Sequence, residues 1–181
     1  MGYTNYLSKK NTKTSPEAED KAFRIGRKIL EDYSSILASG NGDVGSAPAV
    51  IGLGKEDRSG FVAFNGIGDQ SHETAMLFES INAMVSDFEF CKTNYKEYDK
   101  IVVAIYSLMD YLYDGALVFS SDGDEMDVEE GMRIAATAIV YDEFHEKMNG
   151  GQEIEAIGSM GDTRRYQEII ESMMNKFKRG N

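Results

Sequence analysis

"DKIVVAIYSLMDYLYDGALVFSSDGDEMDVEE", residues 99–130, changes periodicity twice, and the order of those changes decides the fold. Behind Asp99, the apolar residues Ile101, Ile105, Leu108 and Leu112 recur at helical spacing, which predicts a helix over about 98–113 that Gly115 ends. "ALVFSS" then reads as a strand and the Asp-Gly pair after it as its exit turn. Asp127 is placed to cap a second helix over 128–148, with Met132, Ala135, Ala136, Ile139, Val140 and Phe144 turned inward.

The flanking sequence extends the same alternation of helix and strand. Near the N-terminus, "GYTNYL" alternates as a short strand would. Thr14 and Ser15 then offer a cap, Pro16 suits a first helical turn, and Glu17, Glu19 and Asp20 favour its positive end. Phe23, Ile29, Leu30, Tyr33, Ile36 and Leu37 carry this helix to Gly40 and Gly42. Residues 39–60 form a glycine-rich loop region around one short strand at Ala49 to Leu53. "GLGK" within it is no phosphate-binding loop, because Glu56 stands where Ser or Thr is needed and no helical pattern follows. "GFVAFNG" and "TAMLFES" are neighbouring strands, "EIEAIGSMG" a short strand and loop, and a last helix runs from Asp162 or Thr163 to about Lys178. Without a βαβα rhythm, the expectation is one α+β domain over residues 1–181, a small, largely antiparallel sheet packed with about four helices.

Composition narrows the function classes. The 181 residues are 41% hydrophobic, enough for a core, and no apolar run reaches the length of a membrane span. The start lacks the apolar stretch of a secretory signal, so a cytoplasmic location is expected, with no membrane partner. Cys91 is the single cysteine, and with only His72 and His145 beside it a structural zinc has too few ligands. The net charge of −12 is concentrated in the centre, since both ends are mildly basic and 101–132 contains acids alone. Such a stretch is either a solvated face or a surface for a basic partner, and Asp110, Asp114, Asp122, Asp124, Glu125, Asp127, Glu129 and Glu130 would form it. Any contact with RNA or DNA falls to the basic ends, with Arg164, Arg165, Lys176, Lys178 and Arg179 at the C-terminal one.

A hydrolytic reading draws on other residues. His72, Glu73 and Asp122 are of the types that perform acid–base catalysis, and Asp122, Asp124 and Asp127 are of the type that holds Mg²⁺. That constellation would suit a metal-dependent nuclease or phosphodiesterase acting on RNA or a nucleotide signal. The simpler reading uses the same acids as a turn followed by carboxylates over a helix N-terminus, with no cofactor. His72 would then lock its loop, and Cys91 would be a small buried hydrophobe.

"FNGIGDQSHET" at 64–74, "FEFCKTNYKEYD" at 88–99 and "SSDGD" at 120–124 together resemble a widespread family of small bacteriophage proteins, whose members show these segments in this order. The likeness covers about residues 61–127; family members carry basic and histidine residues where this chain has "LMDYLYDGA", so the acidic character is its own. Length, the "GYTNY" start and the acidity also resemble type II-A anti-CRISPR proteins, the phage inhibitors of Cas9 used to evade host defence. That likeness implies a protein in the cytoplasm of the bacterial host that binds guide-RNA-loaded Cas9 and blocks DNA cleavage. An acidic face would enter a basic nucleic-acid channel, and the exposed members among the ten tyrosines would supply affinity. In the alternative, the guide RNA itself would be the substrate.

Overall fold

The computed structural model describes residues 3–150 and 160–180. The strand expected in "EIEAIGSMG" falls mainly outside the described residues. In chain order the elements are β1 (Thr4–Lys9), α1 (Pro16–Asp32), β2 (Leu37–Ala38), β3 (Ala49–Ile51), β4 (Phe61–Gly66), β5 (Ala75–Phe78), β6 (Phe88–Lys92), α2 (Asp99–Leu112), β7 (Leu117–Ser121), α3 (Glu125–Asn149) and α4 (Met160–Gly180). The fold is α+β, as the sequence predicts. Instead of one sheet there are two: a three-stranded sheet ordered β6-β1-β7, and a second in which β4 pairs with β2, β3 and β5. Every pairing is antiparallel.

The helix starts follow from local chemistry. Ser15 accepts a hydrogen bond from the Ala18 amide at 3.1 Å and Pro16 opens α1. For α3 the cap is Asp124 rather than Asp127. The Asp124 carboxylate accepts from the amides of Met126 and Asp127, and the Asp127 carboxylate accepts from the Asp124 amide at 3.0 Å, a reciprocal capping box. Helix α1 stops at Asp32, short of the expected glycines, because Leu37 and Ala38 turn extended to pair with Gly66 and Asn65.

Helix α2 organises the core. The sequence predicts a single apolar stripe, yet every residue from Ile101 to Asp110 is buried, so Val102, Val103, Ala104, Tyr106 and Met109 face protein as well. A helix apolar all round has no side to give to water and must lie centrally. It packs between α1 and α3 and lies across β1 and β7. Each fully buried aliphatic side chain here contributes about 1.5–3 kcal/mol relative to exposure. No helix among the described residues is long and apolar enough to cross a membrane.

Two glycines set how closely the layers approach. At Gly26 a Cβ would stand 2.6 Å from Leu77, and at Gly131 it would stand 2.5 Å from Val103 and 2.7 Å from the Lys100 carbonyl oxygen. The second contact includes backbone, which has no rotamer to escape into. Gly131→Ala is expected to lower the unfolding free energy by about 1–3 kcal/mol through overpacking. The exposed change Glu171→Ala should stay within about 0.5 kcal/mol. Denaturant titration of both variants checks the contrast.

Candidate functional site

The three segments 64–74, 88–99 and 120–124 meet at one end of the β6-β1-β7 sheet. Asn65, buried at the end of β4, donates to the carbonyls of Gly40 (3.0 Å) and His72 (3.2 Å) and accepts from the amides of Gly66 and His72. The loop before β5 is therefore locked through the His72 backbone, and its imidazole is on an exposed residue. Glu73 is tied to β6. Its carboxylate accepts the Lys92 amide at 2.7 Å, its own amide donates to the Lys92 carbonyl, and its carbonyl accepts the Tyr98 hydroxyl at 2.8 Å. Cys91 beneath it is buried, and burial pushes its thiol up to about 12, aided by the charges of Glu73 and Asp99. A thiol in that state is no nucleophile at neutral pH.

Across the sheet, Asp99 at the start of α2 accepts hydrogen bonds from the Thr93 hydroxyl and from Asn5 Nδ2 at 2.8 Å. Burial holds this carboxyl above the usual range, against the lowering effect of those two donors. The link from β6 to α2 turns through Asn94 and Tyr95, both left-handed at φ 52° and 58°. That conformation is costly for a bulky side chain, and the Tyr95 ring rests on Tyr3 with centroids 4.4 Å apart. The Asp122 amide donates to Thr4 O, while its carboxylate accepts the Tyr6 hydroxyl at 3.0 Å. Gly123 is needed where it stands, since a Cβ would meet the Tyr3 ring at 2.4 Å.

Each of the expected catalytic residues has a definite place in the fold. Glu73 binds a backbone amide, Asp122 binds a tyrosine, and His72 sits on the loop between β4 and β5. Among the described residues no group of three or more His, Cys, Asp or Glu side chains is arranged to hold a metal ion. Asp124 and Asp127, expected as Mg²⁺ ligands in the hydrolytic reading, cap α3 together.

The acidic stretch is divided by the fold. Asp110 is corrected outright: it is buried, accepts the Phe119 amide at 3.0 Å and meets Lys176 at 3.5 Å, so it is unavailable to a partner. Asp114 is exposed 3.9 Å from the same lysine. Glu125 pairs with Lys178, Glu129 with Arg133 and Glu130 with Lys100. Asp122, Asp124, Glu125 and Asp127 remain exposed together at the N-terminal end of α3. The basic end is partly committed to partners within the chain. Arg165 grips Glu143 through two bonds of 2.9 and 2.8 Å, Arg164 lies 3.6 Å from Glu168, and Arg179 donates to the Asn175 carbonyl. Arg165, Lys176 and Lys178 fasten α4 to its neighbours, whereas Arg164 and Arg179 pair within α4 and stay exposed.

One surface was missed in the sequence. β1 turns Asn5 and Leu7 inward and Tyr6 outward, and β6 turns Cys91 inward and Phe88 and Phe90 outward. Tyr6 stacks on Phe88 at 5.6 Å, and Phe88 lies 6.2 Å from Phe90. This aromatic ladder crosses the open face of the sheet, and the Tyr6–Asp122 bond joins it to the acidic end of α3. The alternation in "DFEFCK" was the available signal. Compared with known family models, curated proteins and solved structures, the chain matches none.

The raised carboxyl of Asp99 has a pH signature. A folded-state value above the unfolded one means that the folded chain binds more protons, so this group's contribution falls as pH rises through the folded value. The melting temperature of the native chain, relative to Asp99→Asn, should therefore decline as pH rises above the ordinary carboxyl range and level off once the folded-state carboxyl is ionised. A flat difference would show Asp99 to be unperturbed.

Proposed function

We propose that this chain is a non-enzymatic binding protein for a positively charged partner, and that the partner is guide-RNA-loaded Cas9, whose DNA cleavage it blocks. The observation that carries the binding part is the continuous patch made by Tyr6, Phe88 and Phe90 with the exposed acids at the head of α3. Phe88 and Phe90 are 47% and 52% exposed and lie next to each other on the open face of the sheet. Aromatic anchors supply affinity once desolvated, and neighbouring carboxylates speed encounter with a basic surface. The choice of Cas9 rests on the likeness to anti-CRISPR proteins. A protein of this kind needs no cofactor, and the engaged states of Glu73, Asp122, Asp124 and Asp127 agree with a structural use of those acids.

Binding to purified Cas9 with intact guide RNA tests the proposal. Tyr6→Ala combined with Phe90→Ala should weaken binding about 30- to 1,000-fold, the loss of two anchors of about 1–2 kcal/mol each. Asp122→Asn, Asp124→Asn and Asp127→Asn together should slow association while leaving α3 capped, because Asn also caps. Undetectable binding of the native chain sinks the proposal. A shortened guide in Mg²⁺, abolished by His72→Ala or Asp122→Ala, would replace it with the nuclease reading.

A further inference from the structure

The edge of β6 is closed at both ends and open in the middle. Thr93 donates its amide to Tyr3 O at 3.1 Å and Lys9 donates to Asp87 O at 2.8 Å, with Asn5 opposite Cys91 and Leu7 opposite Glu89 between them. In an antiparallel ladder the bonded residues alternate, so Asp87, Glu89, Cys91 and Thr93 point their backbone groups at β1. Phe88, Phe90 and Lys92 point theirs outward. Both outer groups of Lys92 are taken by Glu73. The Phe88 amide is taken by Ser86 Oγ at 3.2 Å. The Phe88 carbonyl and the amide and carbonyl of Phe90 have no partner among the described residues, and flanking aromatic side chains lie exposed beside them.

We infer that this slot accepts an extended segment of another protein as an added antiparallel strand, one that alternates apolar residues with Lys or Arg. The inference rests on the reading of the chain as a binder of a positively charged partner, and names how that partner docks. Apolar residues of the segment lie over Phe88 and Phe90 on the open face. The residue between them falls opposite Glu89, on the inner face. Glu89 is half-buried, burial alone holds its carboxyl above the usual range, and it has neither ion pair nor hydrogen bond among the described residues. A base there gives it a cross-strand partner. A second copy of this chain fits poorly. Setting Phe88 against Phe90 of another copy brings Glu89 against Glu89, and setting Phe90 against itself runs Phe88 into Lys92, whose outer groups Glu73 already occupies.

The test uses the full chain and two amidated pentapeptides, Val-Lys-Val-Lys-Val and Val-Glu-Val-Glu-Val, followed by amide exchange and by the chemical shift of the Phe90 amide. The lysine peptide should slow exchange of the Phe90 amide at saturation, and the glutamate peptide should bind more weakly. Phe90→Pro deletes the outward donor while sparing the groups that face β1, and should weaken the lysine peptide about tenfold. Should that variant misfold, Phe90→Ala keeps the donor, so the residue 90 amide should still be protected despite weaker binding. Glu89→Lys should reverse the preference between the peptides. Unprotected Phe90 at peptide saturation, equal binding of both peptides, or a dimer in sedimentation that protects Phe90 overturns the inference. Cas9 capture with Phe90 unprotected overturns it too, yet leaves the proposed function standing; peptide capture without Cas9 binding does the reverse.

Discussion

A helix without a polar face dictates the layout of this molecule. From Ile101 to Asp110, α2 is surrounded by protein, and the only charged residue in that run, Asp110, is satisfied by an amide from β7 and a lysine from α4. Everything else is arranged to cover it: α1 and α3 flank it, β1 and β7 lie across it, and Gly131 lets α3 approach at backbone distance. Covering one element from all sides needs more than one sheet face and more than one helix, which is why strands far apart in sequence assemble around it. β1, from the N-terminus, becomes the central strand between β6 and β7.

Charge follows the same geometry. A chain whose ends are basic and whose centre is acidic does not present that asymmetry to solvent, because folding brings the two against each other. Lys21 and Arg24 of α1 reach Glu143, Asp142 and Glu146 of α3, and Arg165 of α4 reaches Glu143 from the other side. Most of these pairs are partly exposed, where each contributes at most about 1 kcal/mol, so their effect is on orientation more than on stability. Among the acids left exposed, Asp122, Asp124, Glu125 and Asp127 stand together at the head of α3, next to the aromatic ladder.

The three-stranded sheet is finished on one side only. Its inner face is sealed by α2, whereas its outer face shows Tyr6, Phe88 and Phe90. Natural sheets blunt their edges to prevent chance pairing. Here Glu73 and Ser86 blunt both ends of β6 and leave a gap of controlled length, and Glu89 discourages self-association.

By itself the sequence determined what depends on neighbours along the chain. The cap at Ser15, the presence and order of the four helices, the strands "GFVAFNG" and "TAMLFES", the α+β class and the acidic centre all follow from local spacing and turn chemistry. Only the tertiary structure decided which of those residues meet. Burial of Asp110, the commitment of Glu73 to Lys92, the pairing of basic α4 with acidic α2 and α3, and the alignment of Tyr6 with Phe88 join positions tens of residues apart. Periodicity says that a side chain faces inward or outward, but its partner is set by strand register and helix packing, which are properties of the whole chain.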